Sequence, residues 1–158
     1  ARTPSRSLDA FDKAILRILQ RDGKTPQRVI GEAVNLSAAA VQRRIAAMEA
    51  AGVITRTVAL VDPAALGLTI TAMVEVYLQD ERAETVATAK ALFRAAPEVQ
   101  QCFYTTGGTS FFLVIVTADM QAYTALTGRL FEANDCVNRF RTLIALDRVK
   151  TGTEVPIP

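Results

Sequence analysis

Hydrophobic positions in the first third of the chain recur at helical spacing in three consecutive stretches. The first, Leu8 to Asp22, carries an apolar residue every three or four positions. The second begins at Thr25-Pro26, where a threonine able to cap precedes a proline suited to the first helical position. The third begins at Ser37, another capping residue, and continues to Gly52. Three short helices joined by tight links predict a helix-turn-helix unit.

The third stretch has one apolar side and one unusually small side. Val41, Ile45 and Met48 fall on the apolar side. A slim opposite side suits a helix that enters the DNA major groove and reaches base edges near its N-terminal end. The same residue types are also good helix formers, so an ordinary solvent-facing surface is the alternative. At 100° per residue that opposite side carries Ala39, Gln42, Arg43, Ala46 and Ala50.

The segment 55–62 follows the third helix and alternates in hydrophobicity. Val58 and Leu60 lie two residues apart among polar neighbours, and Asp62-Pro63 then breaks the pattern. This alternation predicts a strand or a short wing.

Basic residues of the first half are candidates for contacts with DNA phosphates. Such contacts supply affinity that depends on salt and not on sequence, whereas Gln42 and Arg43 would contact the bases. Arg44 has an alternative role as the ion-pair partner of Glu32 or Asp12. The phosphate candidates are Arg2, Arg6, Arg28, Arg44 and Arg56.

The second half changes to an alternation of strands and helices in the order β-α-β-β-α-β. That order predicts a ferredoxin-like sandwich, so the fold class is α+β: an N-terminal winged helix-turn-helix and a C-terminal ferredoxin-like domain. The predicted strands are Thr69–Leu78, Val99–Thr105, Phe111–Thr117 and Cys136–Val149, and the predicted helices are Ala83–Ala96 and Met120–Ala133.

Both faces of the central predicted strands are apolar, most clearly in Phe111 to Val116. Helices in this topology cover only one face of the sheet, and a wet second face would alternate more cleanly. The second face is therefore predicted to meet another protein surface, most simply in a symmetric homodimer. The alternative is that the N-terminal module folds back over the sheet. A two-fold axis would also pair two recognition helices on a palindromic site.

Length, charge and hydropathy limit the remaining choices. The 158 residues, 50% of them hydrophobic, allow one or two domains. We predict a DNA-binding domain at 1–61 with a tail at 1–7, a linker at 62–68, and a second domain at 69–158. Residues 1–67 hold ten Lys or Arg against six Asp or Glu, and the remainder hold eight against ten. The basic first half favours a nucleic-acid partner.

Targeting signals are not evident in the sequence. No run approaches the ~18 apolar residues of a membrane span, so no membrane partner is predicted. The first seven residues contain no apolar signal region, which predicts a cytoplasmic protein.

The sequence contains little catalytic chemistry. It has no histidine, and its two cysteines, Cys102 and Cys136, lie far apart. Catalysis by a Ser-His-Asp or Cys-His arrangement is excluded, and a metal site is disfavoured. We therefore predict a protein that is not an enzyme and that uses no cofactor. Gly107-Gly108 is the most unusual local feature, and it fits either a hairpin turn or a place where backbone amides meet the carboxylate of a small ligand.

Short motifs along nearly the whole chain, from about residue 8 to residue 152, resemble the feast/famine regulators of the Lrp/AsnC family. The motifs in the first half are Leu8-Asp9, Asp12, Ile15-Leu16, Asp22-Gly23, Leu36-Ser37, RRI at 43–45 and AAGVI at 50–54. Those in the second half are Leu66-Gly67, Pro97-Glu98-Val99, Thr106-Gly107, Arg141-Thr142 and Val149-Lys150.

The resemblance implies a transcriptional regulator with a winged helix-turn-helix joined to an effector-binding ferredoxin-like domain. Family members form dimers through that second domain, commonly assemble into octamers, and often respond to amino acids. The implied partners are double-stranded DNA with a palindromic operator and a small-molecule effector. The alternative is a small-molecule sensor or protein-interaction module without specific DNA binding. The predicted DNA-binding residues are Ser37, Ala38, Ala39, Gln42, Arg43, Arg44 and Arg56.

The resemblance also implies that an effector binds between dimers, near the loop that joins the second and third strands of the effector domain. That loop usually has the sequence Thr-Gly-Asp-x-Asp-Tyr. Both acidic positions and the tyrosine hydroxyl are replaced here. Desolvating the ammonium group of an amino acid without a partner costs several kcal/mol. Three alternatives follow: an amino acid in another orientation, a ligand without an ammonium group, or no effector. The matching residues are Thr106, Gly107, Gly108, Thr109, Ser110 and Phe111.

Overall fold

A computed structural model describes residues 7–158 of the chain, so the predicted phosphate contacts of Arg2 and Arg6 lie outside the described residues. The chain divides into two compact units. Of the described residues, the first unit combines residues 7–60 with residues 150–158, and the second comprises residues 61–149. The predicted domain boundaries at 1–61, 62–68 and 69–158 stay a prediction.

The first unit contains three helices, which confirms the predicted helix-turn-helix. They are α1 (Ala10–Leu19), α2 (Gln27–Val34) and α3 (Ala38–Ala50). One fully buried cluster joins them, to which each helix contributes an apolar residue of its periodic stripe. The cluster consists of Ile15, Ile30, Val41 and Met48.

Polar residues just outside the helices fix where they begin. The Asp9 carboxylate accepts the Asp12 N–H at 2.8 Å and caps α1. Ser37 Oγ accepts the Ala40 N–H at 3.1 Å, which confirms the predicted cap of α3. The predicted cap of α2 is wrong, because the Thr25 hydroxyl donates to the Asp22 carbonyl and Pro26 directly precedes the helix.

Gly31 marks the closest approach between α2 and the turn that leads to α3. It is buried, and a Cβ atom placed on it would lie 2.4 Å from the carbonyl oxygen of Leu36. Asn35 ends α2 in a left-handed conformation with φ of 59°, and the Leu36 N–H then donates to the Gly31 carbonyl at 2.9 Å. The tight turn of the motif therefore depends on a residue without a side chain.

The strand or wing predicted within 55–62 is wrong for the single chain. The segment is irregular in the described part of the structure, and Val58 and Leu60 remain 58% and 76% exposed. A strand forms only with a neighbour that accepts its backbone hydrogen bonds, and alternation alone supplies none.

The segment 150–158 returns to the first unit and pairs with α1. The side-chain amide of Gln20 donates to the Val155 carbonyl at 2.8 Å and accepts the Val155 N–H at 3.2 Å. Arg17 donates to the carbonyls of Ile157 and Pro158 at 3.3 and 3.4 Å. The chain therefore contributes to the helical unit from both of its ends.

The second unit is an antiparallel four-stranded sheet with two helices, which confirms the ferredoxin-like prediction. The strand order is β2-β3-β1-β4, with β1 pairing β3 on one side and β4 on the other. The elements are β1 (Ile70–Leu78), α4 (Ala83–Ala95), β2 (Val99–Tyr104), β3 (Phe111–Thr117), α5 (Met120–Thr127) and β4 (Val137–Ile144).

In the second unit, two element ends differ from the sequence-based expectation by more than one residue. The strand β4 ends at Ile144 and not at Val149. Its last backbone hydrogen bond to β1 is donated by the Ala145 N–H to the Thr71 carbonyl. The helix predicted over Met120–Ala133 is α-helical only as far as Thr127, and it continues as a π-helical turn over Gly128–Glu132. No helix in residues 7–158 has both the length and the apolar character needed to cross a membrane.

The two faces of the sheet differ in burial. Alternate residues that include Val74, Leu113 and Ile115 are fully buried in the core that the helices cover. The strand pairs Met73↔Val114, Phe103↔Phe112 and Met73↔Leu143 place the intervening side chains on the opposite side, which we call the outer face. Its apolar part consists of Met73, Phe103, Phe112, Val114 and Leu143, and its polar part consists of Glu75, Tyr77, Arg139 and Arg141.

Candidate DNA-binding and effector sites

The exposed side of α3 carries the residues predicted to contact DNA. Ser37, Ala38, Ala39, Gln42 and Arg43 are all exposed in the described chain, while Val41 and Met48 of the opposite side are buried. The alanines keep the exposed side slim, and both longer side chains emerge in the first two turns. The helix therefore has the shape and the donor groups that insertion into a major groove requires.

The side chains of Gln42 and Arg43 have no bonding partner in the described part of the first unit. Among the described residues, neither side chain makes a hydrogen bond, and no carboxylate lies within 4.0 Å of the Arg43 guanidinium. An amide and a guanidinium without internal partners can donate bidentate hydrogen bonds to base edges, as Gln does to adenine and Arg to guanine.

Arg44 is the next residue along the helix, yet its environment is different. Its Nη1 atom lies 2.8 Å from the Asp9 carboxylate and 3.0 Å from that of Asp12, whose side chain is 1% exposed. Its guanidinium also lies 5.2 Å from the centre of the Phe11 ring. The ion pair with Asp12 is confirmed, and the one with Glu32 is wrong. A DNA contact of Arg44 stays a prediction.

The contacts around Arg44 change the pKa values of both Asp9 and Arg44. The backbone N–H of Asp12 and the guanidinium of Arg44 lower the pKa of Asp9, and the two carboxylates raise the pKa of Arg44. The guanidinium therefore joins the N-terminal end of α1 to the middle of α3.

The other basic candidates in the described part of the first unit, Arg28 and Arg56, lie on the surface. Arg28 forms an ion pair with Glu32 one helical turn away, and both side chains are largely exposed. Arg56 is exposed in the irregular segment after α3. Exposed pairs of this kind contribute little to folding, so both cations are available for phosphates.

The predicted effector residues form the loop between β2 and β3. Gly107 and Gly108 have φ of 100° and 104°, a region that side chains disfavour, although Cβ atoms there would meet nothing within 4 Å. The glycines are needed for the backbone shape and not for space. Thr106 is exposed, and the hydroxyl oxygen of Thr109 is shielded from solvent without a hydrogen-bond partner in the described chain.

Ser110 ends the loop and joins a polar network that the sequence did not predict. Its hydroxyl accepts the Leu78 N–H at 3.1 Å and donates to Oε1 of Glu81. The hydroxyl of Tyr104 donates to Oε2 of the same carboxylate at 2.8 Å. The bond to Glu81 raises the pKa of Tyr104, which keeps this hydroxyl a donor. The loop has thus lost its own acidic residues but contacts a carboxylate from the segment before α4.

A cleft of about 410 Å³ lies between α4 and the edge strand β2. Tyr104 is part of its wall, and Lys90 Nζ lies 4.7 Å from the centre of the Tyr104 ring. The buried rings of Phe93 and Phe111 supply an apolar side. Within residues 7–158, no group of three or more His, Cys, Asp or Glu is placed to hold a metal ion.

Two family models match the two halves of the chain. Residues 8–49 match the AsnC-type helix-turn-helix domain, and residues 71–155 match the Lrp/AsnC ligand binding domain.

Curated relatives are similar over nearly their whole length. The chain is 36% identical over 150 residues to the uncharacterized HTH-type transcriptional regulator y4tD of Sinorhizobium fredii, covering 95% of this chain and 89% of that protein. It is 32% identical over 142 residues to the proline dehydrogenase transcriptional activator of Rhodobacter capsulatus, covering 90% and 92%.

Solved structures share the fold. An AsnC family transcriptional regulator from Agrobacterium tumefaciens superposes with a TM-score of 0.89 at 30% identity, covering 94% of this chain and 97% of that one. A transcriptional regulator of Neisseria meningitidis, solved as a complex with L-methionine, superposes with a TM-score of 0.90 at 28% identity, covering 95% and 97%.

Proposed function

Because the chain belongs to the Lrp/AsnC family and is a DNA-binding transcriptional regulator, we propose that α3 recognises its operator through Gln42 and Arg43. The main support is that these two side chains are exposed beside small residues and have no bonding partner among the described residues. Arg28 and Arg56 contact phosphates in this proposal and add affinity that depends on salt. The ion pairs of Arg44 make it the support that holds α3 against α1.

Replacing Arg43 and Arg56 in turn distinguishes recognition of DNA bases from electrostatic attraction to DNA phosphates. We expect Arg43→Ala to weaken binding to the operator by about 1–3 kcal/mol and to relax sequence preference at one base pair. Arg56→Ala is expected to weaken operator and scrambled duplex alike and to reduce the salt dependence of binding. The measurement is a fluorescence-anisotropy titration of both duplexes at several salt concentrations.

The matched control removes a positive charge from the second unit. Arg82→Ala, whose guanidinium pairs with Asp80, should leave both duplexes bound as in the unaltered protein. If Arg43→Ala and Arg56→Ala lose the same affinity for both duplexes, Arg43 does not recognise bases.

A homodimer formed through the outer face is proposed as the DNA-binding form. The apolar part of that face is only partly shielded in a single copy, with Phe103 53% exposed and Leu143 39% exposed. A two-fold axis buries the same patch from both copies and presents two α3 helices to a palindromic operator. Because members of the family commonly form octamers, we also propose that such dimers assemble into an octamer.

An amino acid or a related metabolite is proposed to modulate this regulator at the second unit. The support is the related regulator solved as a complex with L-methionine, together with the family resemblance, which implies an effector site near the loop of Thr106, Gly107, Gly108, Thr109 and Ser110. Regulation needs an effector that binds the two conformational states of the assembly with different affinity. We also propose that the protein acts by binding and performs no catalysis.

A further inference from the structure

The outer side of α1 carries two side chains that hold residues 153–158, which we call the C-terminal segment. Arg17 and Gln20 are three residues apart, so they lie on the same side of the helix. With about 100° per residue, that side points away from Ile15, which is fully buried in the core of the helical unit. The helix α1 is therefore held by the core on its inner side and by the C-terminal segment on its outer side.

The side chain of Gln20 pairs with the backbone of the C-terminal segment at one residue. Its amide donates to the Val155 carbonyl at 2.8 Å and accepts the Val155 N–H at 3.2 Å. A residue of a neighbouring antiparallel strand would make the same pair of bonds. A shift by one residue would place Pro156 opposite Gln20, and proline has no N–H to donate. The pairing therefore resists slippage in that direction.

The sequence of the C-terminal segment favours docking in an extended form. Val155 and Ile157 each precede a proline, which restricts both residues to extended backbone before they dock. Arg17 donates to the carbonyls of Ile157 and Pro158, and Ile157 is the one partly buried residue among 151–158. Because the segment loses little backbone freedom on docking, a small number of bonds is sufficient to hold it.

Docking of the C-terminal segment is reversible. The bonds that Arg17 and Gln20 make to the segment are exposed to solvent, where the net gain over bonds to water is small. The strand β4 ends at Ile144, so residues 145–152 tether the segment to the sheet unit. Attachment through flexible chain gives a local concentration on the order of millimolar, at which weak bonds keep the segment docked.

The helix α1 also supports the helix that contacts DNA. The carboxylates of Asp9 and Asp12, at the start of α1, lie 2.8 and 3.0 Å from the guanidinium of Arg44 in α3. With 10 residues, α1 is shorter than the length at which a helix is stable without packing. Release of its outer side therefore weakens the helix that holds Arg44.

We propose that residues 153–158 form a reversible clamp on α1 that keeps α3 in its DNA-binding position. This inference rests on the proposed recognition of the operator by α3. When the clamp is open, a smaller fraction of the protein is competent to bind, and the apparent Kd for the operator rises by the same factor. The clamp also gives the sheet unit a second covalent connection to the helical unit, besides the one at residues 60–61.

Hydrogen exchange of the whole protein tests the docking. Gln20→Ala removes both bonds to Val155 and should speed exchange of the α1 amides by about tenfold, while the amides of α4 exchange as before. Removal of residues 153–158 should speed α1 exchange at least as much, and Gln20→Ala should add nothing further in that shortened chain. Unchanged α1 exchange in the shortened chain, or additive effects, would overturn the clamp.

Operator binding, measured by fluorescence anisotropy, tests the link to α3. Gln20→Ala removes no charge, and a fall of the competent fraction to about one third raises the operator Kd about threefold. Gln121→Ala is the matched control, because it makes the same change at an exposed helical residue of the sheet unit and should leave Kd unaltered. Faster α1 exchange with an unchanged operator Kd for Gln20→Ala would overturn the control of α3 by the clamp.

The Arg43→Ala variant distinguishes failure of the clamp from failure of operator recognition by α3. If α1 exchange is unchanged in the shortened chain but Arg43→Ala relaxes sequence preference, the clamp is refuted and recognition by α3 is retained. If Arg43→Ala leaves sequence preference intact while Gln20→Ala speeds α1 exchange, recognition through Arg43 is refuted and docking of the C-terminal segment is supported.

Discussion

Gly31→Ala is expected to lower the free energy of unfolding of the helical unit by about 2–4 kcal/mol. Glycine to alanine inside a helix usually stabilises by up to about 1 kcal/mol. Here the added methyl group would lie 2.4 Å from a backbone oxygen, that of Leu36, which no side-chain rotation can relieve. The turn between α2 and α3 must therefore shift, with an overpacking cost larger than the gain in helix propensity.

Denaturant unfolding followed by circular dichroism measures this change. Gly128→Ala is the matched control, because the nearest atom to its added methyl group is a flexible oxygen of Glu132 at 4.0 Å. That variant should be neutral or slightly stabilised. Since the position of α3 depends on the same turn, Gly31→Ala should also bind operator DNA more weakly. A stabilised Gly31→Ala protein with normal DNA binding would contradict the close approach.

Two neighbouring residues of β3 are expected to respond very differently to aspartate. Ile115 is fully buried on the helix-covered face, so Ile115→Asp buries an unpaired charge at a cost of several kcal/mol and should give unfolded or insoluble protein. Val114 lies on the outer face opposite Met73, so Val114→Asp should fold and yield a monomer.

Light scattering after size-exclusion chromatography gives the mass of each variant, and Tm reports whether it folds. Val114→Thr, which changes the side-chain volume little, is the control and should remain largely dimeric. A Val114→Asp protein with the mass and concentration dependence of the unaltered dimer would remove the outer face from the interface.

Local sequence signals were sufficient for most elements of the fold. The cap at Ser37 acts within three residues, and the apolar run of β3 lies within one strand, so both can be recognised without the rest of the chain. The segment with Val58 and Leu60 alternates in hydrophobicity, yet it forms no strand in the described chain because no partner strand reaches it. A strand depends on its neighbour, which a local pattern does not contain.

The candidate sites depended more strongly on contacts between distant residues. Arg43 and Arg44 are the same residue type side by side, and only the carboxylates of Asp9 and Asp12 at the start of α1 distinguish them. Glu81 was missed because nothing in its own neighbourhood links it to Ser110. The pairing of β1 with β3 creates that link, since the Leu78 N–H donates to the same serine hydroxyl. Knowledge of the residue pairing between β1 and β3 would have placed Ser110 beside the end of β1, close to Glu81.

The return of residues 150–158 to α1 has a consequence for the order in which the protein is made. During synthesis the helices emerge first, and their buried cluster can form while the sheet is still being translated. The bonds of Gln20 with Val155 join residues 135 positions apart, so they form only after the sheet unit has left the ribosome. The helical unit is therefore the first to fold and the last to be completed.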